Sequence, residues 1–77
     1  MPTILRIGPY RFYFYSADGD EPTHVHVQRD DYTAKFWVNP VRLDKNLGFR
    51  NKEINELFRM IEENQLFIIE KWNEYFN

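Results

Sequence analysis

The chain has 77 residues, 43% of them hydrophobic and 18% aromatic, with a net charge of −2 and no cysteine. Its size suits one domain burying roughly 60% of its unfolded surface, and without cysteine both disulfides and thiolate metal sites are excluded. No apolar run approaches the roughly 20 residues of a membrane helix, and Met1-Pro2-Thr3-Ile4 lacks the charged-then-apolar start of a signal peptide, so a soluble, cytoplasmic protein is expected.

Thr3–Ile7 and Tyr10–Ser16 are rich in β-branched and aromatic residues and are split by Gly8-Pro9, which reads as a hairpin, with a tight turn or a longer loop. With a two-residue turn, Ile7 pairs with Tyr10, Leu5 with Phe12 and Thr3 with Phe14. The other face then sets Arg6 beside Arg11 and Ile4 beside Tyr13, with Tyr15 beyond. Ala17–Pro22 reads as a loop from its Asp, Gly and Pro content.

Thr23-His24-Val25-His26-Val27-Gln28 has the period of two of a β-strand, valines to one side and both histidines of the chain to the other. Asp30-Asp31 suits a two-residue turn into the next strand. That pairs Val27 with Ala34, Val25 with Phe36 and Thr23 with Val38; on the reverse face it pairs Gln28 with Thr33, His26 with Lys35 and His24 with Trp37. A slip of one residue would exchange every face. Asn39-Pro40 ends this strand, Val41-Arg42-Leu43 reads as a short extended edge piece, and Lys45-Asn46-Leu47-Gly48 reads as a turn.

Between Asn51 and Phe76, Ile54, Phe58, Ile61, Gln65, Ile68, Trp72 and Tyr75 step by alternating four and three, with Leu57, Ile69 and Phe76 widening the stripe. The phase holds across Glu62-Glu63-Asn64-Gln65, which favours one long helix over two. The expected fold is therefore α+β, one domain over 1–77. Two antiparallel hairpins form one sheet (3–43), packed on one face by a single long C-terminal helix (51–76). Val25, Val27, Phe36, Phe12, Leu5, Phe58, Ile61 and Trp72 are the expected core. A helix broken in two, or His24 buried against it, would overturn this register.

Charge is divided unevenly. Residues 1–50 carry seven bases against six acids, and residues 51–77 carry three bases against six glutamates. The N-terminal acids fall in turn-like stretches, so the strands carry bases only. The open face would hold Arg6, Arg11, Tyr13, Tyr15, His24, His26, Lys35 and Trp37. Interleaved rings and cations are what RNA-binding sheets use, with rings stacking on splayed bases and cations holding phosphates. The competing reading is an exposed face whose long side chains cover one another.

His24 and His26 suit acid–base work, since imidazole takes and gives protons near neutral pH. Same-face residues two apart lie roughly 6.6–7 Å apart, a span that fits a phosphate. With Lys35 and Arg11 they would supply a metal-independent ribonuclease, with Arg6, Tyr13, Tyr15 and Trp37 binding the RNA. The alternative is a pair of surface histidines packed on Trp37. A third reading adds Asp18, Asp20 or Glu21 to the histidines as metal ligands; no metal and no cofactor are assigned. Trp72, Tyr75 and Phe76 lie close to the C-terminal end, where a long helix would overhang a small sheet. They are read either as a docking surface for a second copy or another protein, or as rings closing the core beside Leu5 and Phe12.

Pro22-Thr23-His24-Val25-His26-Val27 and Lys35-Phe36-Trp37 resemble a small bacterial domain-of-unknown-function family, numbered 4160. So do Met1-Pro2-Thr3-Ile4, Gly8-Pro9-Tyr10-Arg11-Phe12, Phe14-Tyr15, Gly48-Phe49, Glu63-Asn64 and Lys71-Trp72-Asn73-Glu74-Tyr75-Phe76. The chain departs from the family pattern at Thr23, usually proline, and at Arg50, where Ser or Asn would cap the helix with Glu53 three residues on. Asn51 is expected to take over as cap. The resemblance implies a component of a two-gene, toxin–antitoxin-like cassette whose partner is another small protein. The two functional expectations are thus an RNA-directed toxin or ribonuclease, and a non-catalytic protein- or nucleic-acid-binding module serving as antitoxin or adaptor.

Overall fold

Each strand pairs antiparallel with the one before it in sequence. The computed structural model, which describes residues 2–77 and so leaves Met1 aside, contains β1 (Thr3–Ile7), β2 (Tyr10–Tyr13), β3 (His24–Arg29), β4 (Tyr32–Val38) and β5 (Val41–Leu47). These are followed by α1 (Asn51–Glu63) and α2 (Gln65–Phe76). The sheet order is β1-β2-β3-β4-β5. The α+β class holds, but the two expected hairpins are part of a five-stranded meander, and the single helix is two.

The register of β3 on β4 is the one the valine alternation demands: His24 opposite Trp37, Val25 opposite Phe36, His26 opposite Lys35 and Val27 opposite Ala34. Val25, Val27, Phe36 and Val38 are wholly buried, which is the reason a slip is excluded. The helix is broken and His24 is buried, and the register stands all the same.

The first hairpin pairs Ile7 with Tyr10 and Leu5 with Phe12 as expected, but Thr3 pairs with Tyr13 across a bulge. The extra residue moves Thr3 to the open face, where its hydroxyl accepts from Arg11 Nε at 2.7 Å, and leaves Ile4 packed against the core. Strand β2 stops at Tyr13, short of the expected Ser16.

The stretch expected as an edge piece and a turn is instead the full strand β5. Its register on β4 shifts between Lys35 and Phe36, so that Phe36 faces Leu43 while Lys35 faces Lys45. Without that bulge Lys45 would pair with Ala34 and point at the helices. With it, Asn46 takes that place, donating to Phe49 O at 2.8 Å and accepting from Phe49 N at 3.0 Å. Gly48 follows at φ 111°, and a Cβ on it would lie 2.5 Å from the Tyr32 ring, so both backbone and space require glycine.

A straight helix over residues 51–76 would run roughly 39 Å, longer than the 34 Å longest dimension of the molecule. The chain breaks at Asn64 (φ −112°, ψ 16°), whose side-chain amide donates back to Met60 O at 2.8 Å. Gln65 holds its place in the apolar stripe because its amide donates to Val38 O, at the end of β4, at 2.7 Å. Leu57 and Ile61 from α1 and Ile68 and Trp72 from α2 meet Phe12, Phe14, Val25 and Phe36 in one core. Leu5 and Phe58, expected in it, are only partly buried. No helix among the described residues is long and apolar enough to cross a membrane.

The cap of α1 is Arg50, not Asn51, and its side chain makes no capping bond. Glu53, free of a capping box, reaches the sheet instead: Arg29 donates from Nε and Nη2 to its two oxygens at 2.8 Å each, and Tyr10 donates its hydroxyl at 2.8 Å. This forked pair ties the end of β3 to the start of α1. The Arg29 bonds, and then the Tyr10 hydroxyl, hold the Glu53 carboxyl below its ordinary value of 4.5. A depressed carboxyl contributes stability that is full above the unfolded value and lost as pH falls through the folded one. Glu53→Gln is therefore expected to lower the melting temperature at neutral pH and to flatten its decline below pH 4.5. Melting curves of the two proteins with parallel acid limbs would remove Glu53 from this role.

Candidate functional site

Both histidines leave β3 on the face opposite Val25 and Val27, as their alternation requires, yet their surroundings differ. The position after Tyr13 on β2 no longer pairs with β3, so His24 has no strand beside it on that side. Trp72 from α2 fills in, its ring 5.1 Å from Phe14 and 5.0 Å from His24, and Trp37 lies 5.5 Å away on the other side. His24 is 0% exposed; the expectation that both histidines lie open is corrected for this one. His26, 5.1 Å from His24, lies half-buried under Tyr13 and Tyr15 at 5.4 and 4.6 Å.

The stretch after β2, expected as a plain loop, winds into a 3-10 turn over Ser16–Asp20. It folds back over the histidines and brings Asp18 to them. Asp18 Oδ2 accepts from the Tyr15 backbone N–H at 2.8 Å and from His26 Nε2–H at 3.0 Å. His24 Nε2 lies 3.1 Å from the same oxygen, but off the line of a hydrogen bond, and this buried nitrogen makes no hydrogen bond among the described residues. The other ring nitrogen, Nδ1, is 2.9 Å from Pro22 O; since a carbonyl only accepts, Nδ1 carries the proton. Burial holds the His26 imidazole below its ordinary value, and the Asp18 carboxylate offsets part of that. Burial alone would raise the Asp18 carboxyl, but the Tyr15 N–H and the two imidazoles outweigh it and leave it lowered.

Of the other residues expected at a catalytic site, Lys35 stands opposite His26. Its ammonium is bound to Glu21 at 2.7 Å and Asp44 at 3.5 Å and lies 4.6 Å above the Trp37 ring. Arg11 lies 4.4 Å above the Tyr13 ring and donates to Thr3 and Gln28. These cations thus cover rings that had been expected to stack on bases. Tyr13 is buried, and burial followed by its hydroxyl contact with Tyr15 pushes its phenol up. Arg6 sits beside Arg11, near the sheet edge. Tyr15 stays 42% exposed and borders a groove of about 410 Å³ that Tyr13, His26, Lys35 and Lys45 also line. Sequence reasoning did not place Lys45 there, because only the β5 bulge turns it outward. At the C-terminal end Trp72 is core, Phe76 partly buried, and Tyr75 43% exposed.

A family model described as Domain of unknown function (DUF4160) matches residues 10–73. The chain belongs to the DUF4160 family. Residues 1–9 and 74–77, which carry part of the resemblance noted in the sequence, lie outside the matched stretch, whereas Asp18, His24 and His26 all lie within the DUF4160 match. No curated protein and no solved structure matches the chain.

The turn bearing Asp18 is held from behind by the C-terminal helix. A Cβ on Gly19 would lie 2.8 Å from Cδ1 of Phe76, itself 4.3 Å from Trp72. Gly19→Ala would gain about 0.4–1 kcal/mol from a stiffer unfolded chain and lose about 1–3 kcal/mol from overpacking. The loss is the larger, so a lower melting temperature is expected. A rise would show that the ring gives way and that Phe76 does not seat the turn.

Proposed function

We propose that the chain is a non-catalytic binding module that holds single-stranded RNA against the open face of its sheet. The groove carries this reading: Tyr15 offers an exposed ring set edge-to-face with His26, and Lys45 lines the same groove with no ion pair among the described residues. A ring for a base and a cation for its phosphate are the elements of single-strand binding. The ribonuclease reading asks for two imidazoles within reach of one phosphate, and the complete burial of His24 favours the binder over it. On this reading the chain is the RNA-holding component of the cassette that the family resemblance implies.

The test is titration of a fluorescently labelled, mixed-sequence single-stranded RNA at several salt concentrations. Tyr15→Ala is expected to weaken binding roughly 5- to 150-fold, the equivalent of about 1–3 kcal/mol for one stacked base. Lys45→Ala should lower the salt slope by about 0.7, the share of one phosphate on a single strand. Unchanged affinity in a folded Tyr15→Ala protein would end this reading. RNA cleavage that disappears in His26→Ala would restore the enzyme.

A further inference from the structure

The unpaired nitrogen of His24 is the least expected polar group in the molecule. Its ring is 0% exposed, Nδ1–H is committed to Pro22 O, and Nε2 makes no hydrogen bond among the described residues. That nitrogen faces a carboxylate oxygen 3.1 Å away in a buried setting, where a polar atom left without a hydrogen bond is costly. A bare Nε2 and a carboxylate oxygen in that position would repel each other, so a positive charge, a proton or a metal ion, belongs between them. A proton on Nε2 would meet Asp18 Oδ2 off its axis, since the pair lacks hydrogen-bond geometry.

We infer that Asp18, His24 and His26 form a binding site for a divalent transition-metal ion of the zinc class. One atom from each residue, all within 4.8 Å of one another, can reach the ion, which displaces to solvent the proton that His26 Nε2 gives to Asp18. Ligands about 2.0–2.1 Å from one ion at right or tetrahedral angles lie roughly 2.8–3.4 Å apart. The two imidazole nitrogens stand 3.1 and 3.0 Å from the carboxylate oxygen, while the three donor atoms together span up to 4.8 Å, so the two imidazoles must draw closer to share one ion. An ion placed along the Nε2 lone pair of His24 would have that oxygen to one side, which accounts for its off-line position. The bond from Nδ1–H to a backbone carbonyl is the outer-shell support that metal-bound histidines have almost without exception. The Tyr15 N–H fixes the carboxylate in the same way.

Nitrogen and carboxylate donors in this number suit zinc and its neighbours over magnesium or calcium. Three protein ligands leave a position for water or for an anionic oxygen of a ligand. Since His26 also lines the groove, a ligand lying there can reach it. The three side chains form this cluster whether or not RNA binds in the groove.

The experiment is competition for zinc between the tag-free full chain and a chromophoric chelator, with cobalt(II) absorption as a second readout. His26→Ala and Asp18→Asn serve as variants, each checked for folding by circular dichroism. One ion per chain is expected. Either folded variant should lose more than the roughly 10- to 100-fold that removal of an outer-shell partner costs. Should a variant not fold, long-range proton–nitrogen spectra of the parent decide: zinc should shift Nε2 of both imidazoles. No stoichiometric zinc in the parent, binding retained in a folded variant, or unmoved Nε2 signals would each overturn the site.

Discussion

The apolar face of the sheet must be covered by a helical stretch that, left straight, would outrun it. The break at Asn64 resolves this, and much of the molecule follows from it. Gln65 turns to the end of β4, α2 swings across the sheet, and Trp72 arrives between Phe14 and His24. Trp72 and Phe76 then back the 3-10 turn that carries Asp18. The residues that could have overhung the sheet are thereby drawn into one end of the core, with Tyr75 left outermost.

Two polar clusters mark opposite ends of β3, and they are finished to different degrees. At the Arg29 end, Glu53 receives two guanidinium bonds and a phenol hydroxyl, which leaves little unsatisfied and pins α1 to the sheet. At the His24 end, one carboxylate oxygen serves a backbone amide and an imidazole while a second imidazole nitrogen faces it without a bond. Structural clusters tend toward the first condition, because buried polar atoms are costly to leave unpaired. The second condition is the one that invites a ligand.

The open sheet face is less open than a row of rings and cations suggests. Arg11 lies on Tyr13 and Lys35 on Trp37, each cation gaining from a ring beneath it and each ring losing a free face. What remains accessible is concentrated around Tyr15 and the groove beside it. A pattern of aromatic and basic residues therefore describes a binding face only after the pairs internal to it are taken away.

The α+β class, the faces of β3 and β4 and their register were legible in the order of residues alone. Alternation is a local property, and Val25, Val27, Phe36 and Val38 tolerate only one phase. The same logic set His26 opposite Lys35 and His24 opposite Trp37. The tertiary structure alone decided the bulges that leave Ile4 inward and turn Lys45 outward, since an inserted residue shows only in the partner strand. It also decided the break at Asn64, where the apolar period continues unbroken and the length of the sheet imposes the limit. The burial of His24 and its meeting with Asp18 likewise depend on a turn and a helix end that are distant from it along the chain.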